Sequence, residues 1–399
     1  MKCLLQEMDV LNKRVIVRCD FNVPVKDGKI LDDTKIKASL ETINYLIDKN
    51  CKIILLSHFG KVKTEEDKKK YSLRIVAERL NELVSSNVIF SPETRSSFLE
   101  IKAMELQPKE ILLVENTRFE DVPNGFESNN DPQLAAYFAS LGDIFVLDAF
   151  ASSHRMHAST SGIAKFIPSC LGFCVQKEMD MLNKYVLNPE MPFTIIMGGA
   201  KIADKLPLIE KLLPKCSHML LTGGLANSCL KSLGLKTGES LATLDSETLI
   251  KVKDILREYN KKIVLPFDAI VGKKYDETFV VSKDINKIEN DEIIGDIGPK
   301  TLKIYKKIID ESKTIFMNGT AGIYEEPKYS NGTLELLNIV TSSMAKTIAG
   351  GGDCIGAIDK FNMTDKFTYI STGGGATLEY IINENLPAIN AIADKEEVL

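Results

Sequence analysis

The sequence has no long apolar run. None of its hydrophobic stretches approaches the ~20 apolar residues that a helix needs to cross a bilayer. Its first ten residues, MKCLLQEMDV, lack the apolar core of a signal peptide. We therefore expect a soluble, cytoplasmic protein with no membrane partner.

The sequence also has no excess of basic residues. It contains 50 lysines and arginines against 55 aspartates and glutamates, which gives a formal net charge of −5. Binding to a nucleic-acid backbone needs a basic face, so this balance argues against nucleic acid as the main partner. Any basic binding site must be local.

Several sequence fingerprints are missing. The eight cysteines form no Cys-x-x-Cys pair and no zinc-ligand spacing, which favours buried thiols in a reducing compartment. There is no Gly-x-x-x-x-Gly-Lys-Ser/Thr motif and no dinucleotide-binding glycine fingerprint, which weighs against a P-loop ATPase and a nicotinamide dehydrogenase. Ser152, Ser153 and His154 lack the Gly-x-Ser-x-Gly context of a hydrolase nucleophile.

The chain does contain two halves with different functional residues. Its 399 residues, 44% of them hydrophobic, suit two domains of about 150 to 200 residues each. Residues 1–187 hold seven of the eight arginines but only six of the 25 glycines. Arginine side chains recognise anions directly, whereas glycine loops let backbone N–H groups approach phosphates. We therefore expect two anionic ligands, one in each half.

In the first half, cationic side chains follow successive apolar strands. Helical patterns separate these strands, so the order predicts a parallel β-α-β sheet whose ligands bind beyond the carboxyl ends of the strands. Beyond Lys61, the mixed-charge run to Lys70 is interpreted as a solvated loop. The predicted strands are 14–18, 52–56, 111–114 and 143–147, and the cations are Arg18, His58, Lys61, Arg118 and Arg155.

The stretch 171–205 joins the halves. Apolar residues at helical spacing predict a helix over 173–187. After it, an apolar strand at 193–197 opens into the glycine turn 198–201 and a second helical pattern. A strand, a glycine turn and a helix in this order form a phosphate-binding arrangement.

The strand-then-glycine pattern recurs through the second half. Glycine-containing turns follow apolar strands near 218–221, 315–317, 347–349 and 367–370. Most of these turns lead into helical patterns, which places helix N-termini around one crevice and predicts a polyphosphate ligand. Asp353 and Glu325 supply carboxylates there, one able to hold Mg²⁺ and one able to take a ribose hydroxyl.

At this point the motifs resemble phosphoglycerate kinase, in order and over essentially the whole chain. They include RVIVRCDFNVP, SHFGK, VENTRF, DAFASSHRMHAST, GGAKIADKL, DIGPKT, NGTAGIYE, AGGGD and STGGGATLEY. The resemblance implies an α/β fold of two Rossmann-like domains with parallel sheets flanked by helices, joined by an interdomain helix. The expected boundaries are 1–170, the helix at 171–188 and 189–385, with a tail at 386–399 packing on the first domain.

The resemblance also implies the reaction. The family transfers a phosphoryl group reversibly between 1,3-bisphosphoglycerate with ADP and 3-phosphoglycerate with ATP, in a glycolytic step that uses Mg²⁺. In-line transfer is expected to follow closure about the 173–187 helix. A monomer is the family expectation.

The family's site residues can be matched residue by residue. The match implies charge-stabilising catalytic roles for Lys35, Lys201, Gly374 and Gly375. It implies a substrate pocket of Asp20, Phe21, Asn22, Lys35, His58, Phe59, Gly60, Lys61, Arg118 and Arg155. It implies a nucleotide site of Gly199, Ala200, Lys201, Lys205, Gly224, Gly298, Asn318, Glu325, Gly351, Gly352, Asp353 and Cys354, with Asp353 on the metal.

Four positions depart from the family pattern. Lys35 and Lys61 stand where the family has arginines, Thr320 replaces a proline and Cys354 replaces a threonine. Lysine keeps the positive charge but loses the planar two-pronged donor. These departures leave one alternative: a nucleotide-binding, catalytically impaired relative with a regulatory role.

Overall fold

The computed structural model describes residues 1–274 and 276–398, and its chain divides into two compact units. The first unit comprises Met1–Asp180 and Asn383–Leu399, and the second comprises Met181–Ile382. Residue 399, the last of the predicted tail, lies outside the described residues. In the described part of the chain, no helix combines the length and apolarity needed to cross a bilayer.

The first unit is built on one six-stranded sheet. Its order is β5-β6-β4-β1-β7-β8, and every pairing is parallel. The strands of this unit are β1 (Arg14–Cys19), β2 (Val25–Lys26), β3 (Lys29–Ile30), β4 (Lys52–Leu56), β5 (Val88–Ser91), β6 (Ile111–Val114), β7 (Ile144–Asp148) and β8 (Ser169–Leu171). The helices up to the unit boundary are α1 (Thr34–Ala38), α2 (Leu40–Asp48), α3 (Glu65–Lys70), α4 (Arg74–Leu83), α5 (Ser97–Glu105), α6 (Pro132–Ser140) and α7 (Phe173–Leu182).

The register of this sheet brings the ends of its central strands level. Arg18 pairs with Leu56 of β4 on one side and with Leu147 of β7 on the other. β1 is rich in β-branched residues and lies in the middle of the sheet, where all but its first residue are buried. Residues that follow β1, β4 and β7 therefore emerge at one edge.

The second unit contains a second parallel sheet. Its order is β11-β10-β9-β15-β16-β17. The strands that follow β9 in the chain therefore extend the sheet on one side of the central β9–β15 pair, and those that follow β15 extend it on the other side. The strands are β9 (Phe193–Met197), β10 (His218–Leu221), β11 (Ile263–Val264), β12 (Asp268–Lys273), β13 (Asp276–Asp284), β14 (Glu292–Ile297), β15 (Thr314–Asn318), β16 (Lys346–Ala349) and β17 (Tyr369–Ile370). The helices are α8 (Leu206–Leu212), α9 (Gly223–Ser232), α10 (Ser246–Glu258), α11 (Pro299–Asp310), α12 (Asn331–Ser342), α13 (Gly352–Lys360) and α14 (Gly375–Asn383). Ligands of such sheets bind where the strand order reverses, here between β9 and β15.

The predicted strands at 52–56, 111–114, 193–197 and 218–221 are confirmed, and other details were wrong. Ile36, Leu40, Ile43 and Ile47 recur at helical spacing, which predicts one helix, but the helix is broken at Ser39 into α1 and α2. Part of the run interpreted as a loop forms α3, because Thr64 and Asp67 cap its first turn reciprocally. Strands β12, β13 and β14 form an antiparallel sheet that was not predicted from the sequence.

The predicted helix at 173–187 is present as α7, followed by a wider turn over Asn183–Leu187. The division between the two units falls within α7, after Asp180. In the tail, α15 (Pro387–Ala391) precedes α16 (Lys395–Val398). The backbone N–H of Ala388 donates to the Ser153 carbonyl at 3.0 Å, and that of Ala393 donates to Ser169 Oγ at 3.0 Å. These bonds attach the tail to the first unit.

The buried carboxyl group of Asp148 lies at the start of α7. Asp148, the last residue of β7, accepts a 2.9 Å hydrogen bond from the backbone N–H of Cys174 in the first turn of α7. Burial raises the pKa of Asp148 to about 8, although hydrogen bonds from Cys174 and Thr42 oppose the rise. The group is therefore neutral over much of the pH range in which the unfolded chain would ionise it.

Asp148→Asn should stabilise the protein, and the gain should depend on pH. The folded pKa lies above the unfolded value of ~3.9, so the wild type loses stability as pH rises from about 4 towards 8. We expect the variant to gain more than ~1 kcal/mol in the free energy of unfolding at pH 8. Urea unfolding at pH 6, 7, 8 and 9 measures this, and a gain that does not grow between pH 6 and 8 would contradict the assignment.

Candidate functional site

The first unit gathers charged side chains at the carboxyl ends of its central strands. Arg18, the second-last residue of β1, has no exposed surface, and its charge therefore needs partners within the protein. Its Nε donates to Ser159 Oγ at 2.8 Å, its Nη1 donates to the carbonyl of Cys19, and its Nη2 lies 3.2 Å from His58 Nδ1. All three guanidinium nitrogens are thus held.

The contact with Arg18 determines the protonation of His58. Arginine cannot accept a hydrogen bond, so Nδ1 of His58 must be the acceptor. Burial and the charge of Arg18 together lower the pKa of His58 to about 3. His58 is therefore a neutral imidazole whose proton lies on Nε2.

Asp20 and Lys35 form an ion pair in the same cluster. Lys35 Nζ lies 2.7 Å from Asp20 Oδ2, and its side chain keeps 29% of its surface exposed. Burial alone would raise the pKa of Asp20, but the charge and hydrogen bond of Lys35, together with a hydrogen bond from the backbone N–H of Asn22, outweigh burial and lower the pKa. Lys35 therefore carries its charge at the predicted pocket, although one of its donors is already used.

Asparagine side chains fix the loop that follows β4. Gly60 donates its backbone N–H to Asn22 Oδ1 at 2.9 Å, which ties the segment after β1 to the segment after β4. Asn116 holds both backbone groups of Phe59, at 3.1 and 2.7 Å. Phe21 is buried and its backbone N–H donates to Ser57 Oγ at 2.9 Å, and its assignment to the substrate stays a prediction. Lys61 is exposed.

The two remaining arginines differ in their surroundings. Arg118 donates through Nη1 to Asp121 at 3.3 Å and to Ser128 at 3.0 Å. Within residues 1–274 and 276–398, the buried Nε of Arg118 has no hydrogen-bond partner. Arg155 is exposed and its Nε lies 3.0 Å from His154 Nε2. An unsatisfied buried donor is costly and therefore suits a ligand that accepts from it.

The second unit contains a small cavity of about 160 Å³. α13 and α14 both begin at it, so the unpaired N–H groups and positive dipole ends of two nine-residue helices converge there. Six of the twelve predicted nucleotide residues line it, together with the predicted catalytic glycines and two further residues. The lining is Lys205, Asn318, Gly319, Gly351, Gly352, Asp353, Cys354, Gly374, Gly375 and Leu378. This combination is suited to a polyphosphate.

Lys205 and Asn318 meet at the floor of this cavity. Lys205 Nζ donates to Asn318 Oδ1, and Asn318 Nδ2 donates to the Gly350 carbonyl at 2.7 Å. Burial lowers the pKa of Lys205, and the carboxylate of nearby Asp353 opposes that shift. The lysine therefore presents a positive charge that an anionic ligand would stabilise further.

Close backbone packing explains the glycines that follow β9 and β15. A Cβ on Gly319 would lie closer than 3.0 Å to the backbone of Gly198, and Gly319 has a φ of +102°. The N–H of Gly198 donates to the Asn318 carbonyl at 2.9 Å. The two loops therefore support each other at the point where the strand order reverses.

Three other predicted nucleotide residues lie together, outside the lining of that cavity. Gly199 accepts from the N–H of Leu225 at 3.0 Å, and a Cβ on Gly224 would lie closer than 3.0 Å to the Ala200 carbonyl. Glu325 and Lys201 are exposed. The assignment of all five residues to the nucleotide site stays a prediction.

Gly298 has a structural explanation of its own. It precedes α11, whose first turn is already capped by Asp268, because Asp268 accepts from the N–H groups of Lys300 at 2.9 Å and Thr301 at 2.8 Å. A Cβ on Gly298 would collide with that carboxylate. The N–H groups of Lys300 and Thr301 in the first turn of α11 are therefore already satisfied by Asp268, without a bound phosphate.

The donor set around Asp353 fits an ion that arrives with a nucleotide. Among the described residues, no group of three or more histidine, cysteine or acidic side chains could hold a metal ion by itself. Asp353 is exposed in the first turn of α13 and lines the cavity. Mg²⁺ commonly binds through one or two carboxylates together with substrate phosphates, so a single carboxylate at a phosphate cavity is compatible with it. Cys354 contributes a neutral thiol, because burial raises its pKa to about 12.

The side chains that hold Arg18 could not be identified from the sequence. Glu127 is buried and accepts from both the hydroxyl and the N–H of Ser159, the residue that binds Arg18. Ser159 lies within a recognised motif, but its alignment with Arg18 could not be inferred from spacing. No sequence feature marked Glu127, since it lies in a loop region of irregular composition.

Two glycine substitutions should separate backbone packing from ligand access. Gly319→Ala forces a methyl group into the backbone of Gly198 at a positive φ, and should cost about 3 kcal/mol or more in the free energy of unfolding. Gly352→Ala meets nothing within 4 Å, so stability should be kept while the methyl group reduces Mg-ADP affinity. Thermal unfolding measures the stability of both variants, and calorimetric titration measures their ligand affinity. A Gly319→Ala variant that unfolded like the wild type would contradict this account.

Comparison with known proteins places this geometry in context. The model of the family described as "Phosphoglycerate kinase" matches residues 5–384. The chain is 45% identical over 398 residues to a protein of that name from Listeria innocua, and 44% identical over 400 residues to one from Fusobacterium nucleatum; each match covers 99% of this chain and 100% of the relative.

Solved structures agree with the sequence relatives. The structure titled phosphoglycerate kinase from Coxiella burnetii matches with a TM-score of 0.87 and 36% identity, and covers 98% of both chains. The corresponding structure from Pyrococcus horikoshii OT3 matches with a TM-score of 0.82 and 29% identity, and covers 100% of both chains.

Proposed function

Because the chain belongs to the phosphoglycerate kinase family, we propose that its two units divide the substrates of that reaction between them. The enzyme is a phosphotransferase with a carboxyl group as acceptor: it transfers a phosphoryl group reversibly between 1,3-bisphosphoglycerate with ADP and 3-phosphoglycerate with ATP. The first unit binds the phosphoglycerate and the second binds the nucleotide. The observation that carries this division is the cavity at the start of α13 and α14.

The basic cluster of the first unit supports the phosphoglycerate assignment. 3-Phosphoglycerate carries a phosphate and a carboxylate, both of which accept hydrogen bonds. Arg118 offers a buried unpartnered donor, Arg155 an exposed guanidinium and His58 an Nε2 proton. These groups can hold the two anionic ends without a change in their own protonation.

Phosphoryl transfer depends mainly on positioning and charge neutralisation. Lys205, Lys201 and the helix starts at Gly352 and Gly375 would hold the nucleotide phosphates, and Lys35 would face the transferring group. Asp353 would hold Mg²⁺, which supplies positive charge to those phosphates when bound. The donors are already fixed by the fold, so little reorganisation is needed as charge develops.

Transfer requires the two ligands to come into contact. We infer closure about the 173–187 helix as the step that precedes in-line transfer, with domains at 1–170 and 189–385, the linking segment at 171–188 and the 386–399 tail belonging to the first domain. Helix α7, whose first turn donates to Asp148 and which is followed by the turn at Asn183–Leu187, supports this inference. A cytoplasmic monomer that binds neither nucleic acid nor membrane remains part of the proposal.

The alternative of a catalytically impaired regulatory protein is not supported. Full-length relatives at 44–45% identity carry the enzyme's name. Both lysine replacements keep their positive charge, and Lys35 is held at the cluster by Asp20. Thr320 is buried and its Oγ1 donates to the Gly322 carbonyl at 3.1 Å, so it is accommodated within the loop.

A turnover assay tests the proposal directly. Purified protein with ATP, Mg²⁺ and 3-phosphoglycerate should form an acyl phosphate, which hydroxylamine traps as a hydroxamate. Omitting Mg²⁺ should abolish the signal. Nucleotide binding without any acyl phosphate would refute the proposed function.

Lys35→Arg tests the catalytic role of position 35. The guanidinium restores a two-pronged donor, so we expect kcat to rise while the affinity for Mg-ADP stays within twofold. Lys35→Met, which keeps the length but removes the charge, should lower kcat by about 100-fold or more. Steady-state kinetics compare both variants with the wild type. An unchanged kcat in Lys35→Met would show that this lysine plays no part in the transfer.

A further inference from the structure

A buried chain of hydrogen bonds lies behind the phosphoglycerate pocket. Glu127 and Ser159 have no exposed surface, and both lie next to the fully buried Arg18. Arg18 Nε donates to Ser159 Oγ at 2.8 Å, and Ser159 Oγ donates to Glu127 Oε1. The serine hydroxyl therefore links a buried cation to a buried carboxylate.

Glu127 is bonded as an acceptor throughout. Besides the Ser159 hydroxyl, Oε2 accepts from the Ser159 N–H at 3.0 Å and Oε1 accepts from Thr117 Oγ1 at 3.2 Å. Burial raises the pKa of Glu127, and the charge of Arg18 and the Ser159 hydrogen bonds oppose the rise. An isolated buried guanidinium would be very costly, so Glu127 supplies the compensating charge.

The other end of the chain reaches His58. With its Nε and Nη1 anchored by Ser159 and Cys19, the guanidinium can direct Nη2 only towards His58 Nδ1. The charged groups around His58 are Arg18, Arg118 and Lys35, which disfavour an imidazolium, and Asp20, which favours it. Burial and the excess of three cations over one carboxylate together keep the His58 imidazole neutral.

The tautomer of a neutral imidazole decides what it can bind. With its proton on Nε2, His58 offers a donor to an anion, whereas the other tautomer would offer a lone pair and repel it. A guanidinium that donates to Nδ1 removes the second possibility. No rearrangement of protons is then needed when the substrate arrives.

We propose that Glu127 and Ser159 are positioning residues that, through Arg18, lock His58 in the Nε2–H tautomer for binding 3-phosphoglycerate. This inference rests on the proposed assignment of the first unit to that substrate. Because both residues are fully buried, neither contacts the substrate, and Arg18 transmits their effect on the tautomer of His58. Ser159→Ala and Glu127→Gln break the chain at two different links.

Glu120→Gln is the matched control. Glu120 is a buried carboxylate of the same unit that accepts from Thr94 Oγ1 at 2.5 Å and pairs with Arg95, but it is not linked to Arg18. A comparable loss of stability is expected in this variant, with no effect on His58. It therefore separates positioning from general destabilisation.

Nitrogen-15 NMR of the imidazole rings gives a readout that does not depend on turnover. The chain has only four histidines, and His58→Gln identifies the resonances of His58. In wild type and Glu120→Gln at pH 7, His58 should show a single neutral Nε2–H tautomer. In Ser159→Ala and Glu127→Gln, the Nδ1 and Nε2 shifts should move towards tautomer averaging or protonation. Unchanged His58 shifts in both variants would overturn the proposal.

Steady-state kinetics supply the second readout. Both variants should raise the KM for 3-phosphoglycerate about tenfold and leave the KM for ATP within twofold, while Glu120→Gln changes neither. Equal changes in both KM values, or none, would overturn the positioning role. Should the wild type itself fail to form acyl phosphate, the proposed function fails, whereas the NMR result still decides whether Glu127 and Ser159 fix His58.

Discussion

Parallel strand pairing is the constraint on which the molecule depends. In a parallel sheet every strand ends at the same edge, so segments far apart in sequence deliver their next residues to one place. The register Arg18–Leu56 and Arg18–Leu147 does this for the first unit. In the second unit, the neighbouring ends of β9 and β15 bring Gly198 and Gly319 into backbone contact. Each binding site is thus a consequence of register, assembled from loops that share no local sequence.

The two candidate anion sites use different chemistry. The first uses side chains: the Arg18 guanidinium donates to Ser159, the His58 imidazole accepts from Arg18, and the Lys35 ammonium pairs with Asp20. The second uses backbone, because glycines allow two helix N-termini to reach one small cavity. Side-chain forks can recognise a particular shape of anion, whereas converging N–H groups suit a chain of phosphates.

The elements with strong periodicity could be predicted from sequence, and those governed by tertiary context could not. Strands β4, β6, β9 and β10 were predicted to the residue, because buried parallel strands are continuous apolar runs between turns. The antiparallel strands β12, β13 and β14 were missed, since their alternation is interrupted by charged residues and bulges. Candidate site residues inside long motifs could be named from the sequence, and their roles stay predictions. Glu127 could not be named, because its role arises only when folding places it against Ser159 and Arg18.

The division of substrates between the units is the central claim, and cross-titration tests it most directly. Arg118→Met and Lys205→Met remove one cation from each proposed site. Calorimetric titration of each variant with 3-phosphoglycerate and with Mg-ADP should show Arg118→Met weakening only the phosphoglycerate, and Lys205→Met weakening only the nucleotide, each at least tenfold. If either substitution weakened both ligands equally, the assignment of one ligand to each unit would be contradicted.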